Sequence, residues 1–318
     1  MPVKTHRRCA DRRLMRQTLT KALRLFVFVG GAVLCVLLVL TVWPGTVLLA
    51  VPGIRVSSPY CSRWKAATDF NKLNKYSETE RRLAAGSRIE KKDGKFALWR
   101  TPKGDFWLPD GPADLLPLLL TQQERHIYGR IRPGDVVIDC GAHVGTFARA
   151  ALAQGASLVV AVEPAPDAVE CFRRNLANEI AAGKVIVCPK GIWDANTVLK
   201  FYLNGNADAA DSFIVHGSES GSVEVPVTTV DTLVEQLKLP QVDLIKADVK
   251  GATERALKGA ASVIARYHPR LALATEEPPE NPQSIANLLS GMAPQYRLSC
   301  GPCIVVGGEI RTDVVFFE

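Results

Sequence analysis

The sequence predicts a doubly wound α/β domain behind an N-terminal membrane-anchoring helix, and three observations carry that prediction. After Gly134, short apolar runs alternate with amphipathic segments. The runs show no polar alternation, so they suit strands buried on both faces of a mostly parallel sheet. The first run ends in an acid and opens a glycine turn, the junction at which such sheets bind ligands. Ahead of all this, residues 25–54 are thirty consecutive residues without a charge.

Residues 1–24 form a basic tail. Lys4, Arg7, Arg8, Arg12, Arg13, Arg16, Lys21 and Arg24 stand against the single acid Asp11, so the tail holds the chain's whole net charge of +7. The rest is neutral, which argues against nucleic acid as a partner. At a rise of ~1.5 Å per residue, the stretch 25–54 would make roughly 45 Å of helix, against a hydrocarbon core of about 30 Å. It is too long for a signal-peptide core, and no small-residue cleavage site precedes Arg55. It is therefore expected to hold the protein at the lipid bilayer, with Trp43-Pro44-Gly45 near its end. Basic residues are denser before the span than after it, which favours the N-terminus inside and the large domain outside. The domain is nevertheless expected on the cytoplasmic side, with the stretch a re-entrant or interfacial helix bent at Pro44-Gly45, or a span of inverted orientation.

Residues 55–129 read as a connector and cap. Polar helical text at 64–85 precedes two aromatic runs, 96–99 and 106–108, around Pro102-Lys103-Gly104, a turn chemistry that suits a hairpin. Residues 130–318 form the main domain. Its core strands are expected at 136–140, 158–162, 185–188, 242–246, 271–274 and 314–317. Helices are expected at 146–154, 167–182, 230–237 and 253–267. Residues 198–229 read as an antiparallel excursion between the third and fourth core strands.

Three strand ends carry chemistry. The first is Val136-Val137-Ile138-Asp139-Cys140-Gly141-Ala142-His143-Val144-Gly145. Its glycines permit a tight strand-to-helix turn and close approach of a ligand. The spacing is not the three-glycine phosphate fingerprint, and Asp139 would repel a pyrophosphate. That carboxylate suits the cationic methionine part of S-adenosylmethionine, directly or through water. The second is Glu163 at the end of Leu158–Val162, placed to accept hydrogen bonds from both hydroxyls of a ribose. The third is Asp248, which would orient the methionine amino group, bind a metal, accept a substrate proton, or simply cap the next helix. His143 is expected to line the cofactor loop, with a general-base role as the alternative. No zinc-ligand spacing is present. Cys300-Gly301-Pro302-Cys303 has redox spacing but lies between strands, which favours structural thiols, with a disulfide or metal pair as the alternative.

The segments Gly134-Asp135-Val136-Val137-Ile138-Asp139, Glu163-Pro164-Ala165-Pro166, Thr228-Thr229-Val230-Asp231-Thr232-Leu233 and Asp243-Leu244-Ile245-Lys246-Ala247-Asp248, with Gly251-Ala252, occur in the order found in FkbM-type methyltransferases. Residues 130–318 resemble that family. The resemblance implies a class I methyltransferase fold with a Rossmann-like sheet. It also implies methyl transfer from S-adenosylmethionine to a hydroxyl, often on a sugar or secondary metabolite; a glycan, a lipid headgroup or a small molecule would serve as acceptor. Asp139, Gly141, Ala142, His143 and Gly145 fall in the cofactor loop, Glu163 at the ribose acid and Asp248 at the acid after the fourth strand. Asp248 is then the leading catalytic base, with Glu276 behind it. The sequence departs from the family pattern at Lys250 and Thr253, where relatives carry acids, and at Glu276-Glu277, where many carry a histidine after the glutamate. Such changes threaten catalysis more than cofactor binding, so a catalytically degenerate, membrane-bound binding module is the alternative reading.

Overall fold

The computed structural model describes residues 28–33, 36, 45, 47, 51–111, 115–125, 127–203, 213, 221–275 and 281–318. The tail, most of the stretch 25–54, and Glu276 and Glu277 lie outside these residues. Among the described residues, no helix is long and apolar enough to cross a membrane.

The N-terminal part begins with a short strand β1 (Arg55–Val56) and helix α1 (Arg63–Gly86). Ser62 opens α1 by accepting the Lys65 N–H at 3.0 Å, a cap worth about 1 kcal/mol. Then comes an antiparallel sheet of β2 (Arg88–Asp93), β3 (Phe96–Thr101) and β4 (Gly104–Pro109). This is the expected aromatic hairpin with one more strand on its edge. Strand β2 is exposed along its length and rich in charge, a composition that blunts an edge against further pairing. Helix α2 (Leu115–Glu124) packs on α1.

The main domain runs β5 (Val136–Cys140), α3 (Thr146–Ala153), β6 (Leu158–Val162), α4 (Pro166–Asn175), α5 (Ala177–Ala181) and β7 (Val185–Cys188). After β8 (Gly191–Ile192), the strands β9 (Thr197–Leu203) and β10 (Gly221–Thr228) pair antiparallel as the expected excursion. The second half comprises α6 (Val230–Leu237), β11 (Leu244–Ala247), α7 (Thr253–Lys258), α8 (Ala261–Tyr267), β12 (Arg270–Ala274), α9 (Pro282–Met292) and strands β13 (Leu298–Cys300), β14 (Cys303–Val306), β15 (Glu309–Thr312) and β16 (Val314–Phe317).

Seven strands form one sheet in the order β13-β16-β12-β11-β5-β6-β7. Only β16 runs against its neighbours. Both faces are covered: Val136, Ile138 and Cys140 of β5 enter one apolar cluster, and Val137 enters the other. The order reverses between β5 and β11, which makes a crevice at their carboxyl ends.

Two expected helices are broken. The helix at 167–182 divides at Leu176, which is fully buried between α4 and α5. The one at 253–267 divides at Gly259, where a Cβ would meet the Trp193 carbonyl at 2.2 Å. The redox spacing forms no pair. Cys303 is bonded instead to Cys61, 242 residues away, and Cys300 is a free thiol. Beside this disulfide, β1 pairs parallel with β15, which also pairs with β14. On the other side, Leu83, Phe106 and Leu116 share an apolar cluster with Val144 and Cys171 of the main domain. Asn175 ties the two parts further, donating to the carbonyls of Trp107 and Val144 at 2.9 Å each and accepting the Trp107 N–H.

Candidate cofactor and acceptor site

A cavity of about 750 Å³ opens at the crevice, within the range of small-molecule sites. The loop after β5 forms its floor. Gly141 has φ +78°, and a Cβ there would lie 2.0 Å from the Asp248 carbonyl oxygen, so only glycine lets the loop close on the end of β11. His143 holds φ +48°, a left-handed conformation that histidine rarely adopts. Gly145 (φ +88°) starts α3 against Leu176 and Phe172. Gly141, Ala142 and His143 line the cavity, whereas Gly145 is packed behind it.

Glu163, at the end of β6, also lines the cavity. Its Oε2 accepts the His143 N–H at 2.7 Å and its Oε1 the Ala165 N–H at 2.9 Å. Each oxygen keeps a lone pair for a further donor. Burial pushes this carboxyl up to about 7, against the pull of the two N–H groups and Lys246. Burial and the nearby Lys246 hold the His143 imidazole down at about 4, with Lys250 adding to the effect, so it is neutral near pH 7.

Asp139 is placed differently from the sequence expectation. It is fully buried and does not line the cavity. Its Oδ1 lies 2.9 Å from Nζ of Lys246, its direct neighbour on β11 in the parallel register. Direct contact with a ligand is thereby removed. Lys246 itself reaches the cavity wall and hydrogen-bonds the Gly141 carbonyl at 2.6 Å. Burial alone would pull the lysine down, but Asp139 and Asp248 outweigh it and keep the ammonium charged.

Asp248 lines the cavity and does not cap a helix, since the residue at the N-terminus of α7 is Ala252. Its Oδ2 accepts the Tyr128 hydroxyl at 2.7 Å. Tyr128 comes from the segment after α2, is buried, and stacks edge-on against Phe147. Neither Tyr128 nor Lys246 was anticipated as part of the site. A signal for the lysine existed: Asp139 and Lys246 are opposite charges, each inside an otherwise apolar strand. Lys250 also lines the cavity, and Thr253 is buried at the start of α7. Among the described residues, no three His, Cys, Asp or Glu side chains are grouped to hold a metal.

The FkbM methyltransferase domain model matches residues 139–297, half of the chain. The chain belongs to the FkbM methyltransferase family. A hexuronic acid methyltransferase, AglP, of Haloferax volcanii is 27% identical over 154 residues, which cover 48% of this chain and 58% of that protein. The 31-O-demethyl-FK506 methyltransferase FkbM of Streptomyces tacrolimicus is 27% identical over 157 residues, 41% of this chain and 60% of that protein. The chain thus spans less than two thirds of either relative. Among solved structures, an FkbM methyltransferase from Methylobacillus flagellatus superposes with a TM-score of 0.45 at 14% identity, covering 79% of this chain and 60% of that one. Likenesses of that size do not bear on function.

The cofactor of this FkbM-family chain is S-adenosylmethionine, and the residues present fit it. Nδ1 of His143 is buried in the cavity wall without a hydrogen-bond partner among the described residues. Glu163 presents an acid of the kind that takes ribose hydroxyls. Glu163, His143 and the Gly141-Ala142 backbone are the groups that would hold it.

Proposed function

We propose that this chain is an S-adenosylmethionine-dependent O-methyltransferase acting on a hydroxyl of a glycan, lipid or secondary metabolite. One observation carries the reading: Glu163 and Asp248 stand in the walls of one cavity, at strand ends on either side of the loop after β5. When bound, S-adenosylmethionine supplies an electrophilic methyl group. Glu163 binds at the ribose, and Asp248, fixed by Tyr128, takes the proton released by the acceptor hydroxyl. Most of the acceleration would come from alignment of the reactants in the cavity. The hexuronic acid methyltransferase among the relatives makes sugar acids the first acceptors to try. The test is transfer of labelled methyl to a panel of uronic-acid glycosides and other hydroxyl compounds, by the natural chain and by Asp248→Asn. Transfer by the natural chain, reduced at least about 100-fold in the variant, is expected. Cofactor binding without transfer to any member would favour the degenerate binding module. Lys250, a cation in the cavity wall where relatives carry an acid, is the observation behind that second reading. Lys250→Glu is its cleanest probe, because a glutamate at the buried position 253 would cost stability by itself.

Membrane attachment through residues 25–54 belongs to the same reading. It is supported by the exposure of Phe28, Val29, Val33 and Val36, a surface that suits lipid better than water. Cytoplasmic synthesis of the cofactor favours a cytoplasmic domain. The Cys61–Cys303 disulfide favours an oxidising compartment instead, as does the charge bias of the flanks. Protease and thiol-reagent access on intact cells decides between them: cleavage of the domain from outside would overturn the cytoplasmic placement.

A further inference from the structure

Lys246 is 3% exposed in the middle of the sheet. Its Nζ makes three contacts: Asp139 Oδ1 at 2.9 Å, the Gly141 carbonyl at 2.6 Å and, longer, the Cys140 carbonyl at 3.4 Å. The rings of Tyr128 and Phe147 lie 5.1 and 5.7 Å from it and shield it from water. A buried ion pair is by itself a weak reason for such a residue, since an apolar pair of similar shape is often as stable. The two carbonyls distinguish this lysine, because they belong to the last residue of β5 and the first of the loop that follows.

We infer that Lys246 is a positioning residue that sets the conformation of the cofactor loop, rather than a mere partner for Asp139. Backbone bonds hold the other groups at the loop's entry. The Asp248 N–H holds the Cys140 carbonyl at 3.0 Å, and the N–H groups of Gly141 and Ala142 both reach the Val162 carbonyl. The Gly141 carbonyl is aimed inward, at the ammonium. Turning that peptide would move the next two residues and with them the His143 N–H that holds Glu163. Lys246 would thus govern the ribose acid through the backbone of Gly141, Ala142 and His143.

The inference rests on the cofactor reading of the cavity, so the test carries a readout that needs no cofactor. In the full chain, Lys246→Met is expected to destabilise the fold by stranding Asp139. The charge-balanced double variant Asp139→Asn with Lys246→Met should recover most of that stability. If Lys246 positions the loop, the double variant still binds S-adenosylhomocysteine about tenfold or more weakly by calorimetry, the loss of one charge-assisted hydrogen bond. Its amides at 141–145 should also exchange with deuterium about tenfold faster without ligand, while the remaining strands keep their protection. A stable double variant with natural affinity and natural loop exchange would overturn the inference and leave Lys246 as a counter-charge. Should the double variant not fold, Lys246→Arg keeps the ion pair but replaces the compact ammonium by a longer planar group. Weaker binding with faster loop exchange supports the inference there, and unchanged loop exchange overturns it. Failure of the natural chain to bind the probe would count against the cofactor reading alone, since loop exchange still decides the role of Lys246.

Discussion

The ends of β5 and β6 lie side by side in the sheet, and each carries a buried carboxylate with opposite surroundings. Asp139 on β5 points into the packed interior, where Lys246 of β11 stands directly beside it. Glu163 follows β6, one position beyond the paired strand residues, in the cavity wall, and its partners among the described residues are two backbone N–H groups. Burial pushes both carboxyls up, but among the described residues only Asp139 has a cation within ion-pair distance. A buried carboxylate is therefore structural in one strand and available to a ligand at the end of the next. What separates them is two residues of register and the identity of the neighbour.

Three measurements would break or sharpen this contrast. The largest effect is expected for Asp139→Ala, which leaves the Lys246 ammonium buried without its carboxylate. A loss of about 3–5 kcal/mol in denaturant-induced unfolding is expected, and a loss below about 1 kcal/mol would make the pair unimportant to the fold. Next, Glu163→Ala should unfold like the natural chain but bind S-adenosylhomocysteine roughly 10–100-fold more weakly by calorimetry. Unchanged affinity would remove Glu163 from the site. The smallest effect is a pH dependence. The ionised Glu163 accepts ribose hydroxyls, and its carboxyl is raised to about 7, so affinity should fall as pH drops through that value. The expected change is about tenfold between pH 8 and pH 6, and it should vanish in Glu163→Gln. His143 adds nothing in that window, being held at about 4. The sign for stability is opposite. An acid raised on folding opposes the folded state once ionised, so its contribution worsens as pH rises from the ordinary 4.5 to about 7 and is constant above.

The sheet was legible because its strands are apolar runs closed by turn residues; β5, β6, β7 and β16 fall on the expected residues. The glycine loop and Glu163 were legible for the same reason, since a strand end fixes where its next residue points. Helix α2 was not, because Leu115-Leu116-Pro117-Leu118-Leu119-Leu120 is apolar without a helical period. Helix α9 carried a usable signal in Asn281-Pro282, a cap followed by proline at the first turn. A strand-end acid read alone, as Asp139 is in the sequence, points to a ligand. Its cross-strand partner depends on register, which a single strand does not specify. The pairing of Cys61 with Cys303 is likewise a matter of connectivity, not of spacing.

The disulfide also decides how load travels through the molecule. Cys61 follows the hydrophobic stretch by seven residues and is bonded to the first residue of β14, while β1 hydrogen-bonds to β15. Tension applied at the N-terminal stretch therefore passes sideways into the C-terminal hairpin and does not run along the backbone through α1, β2–β4 and α2. The connector is mechanically bypassed: Tyr128 and the cavity wall contributed by α2 lie outside that path. Reduction reroutes that force through the connector itself, and the cavity becomes the part that feels the pull.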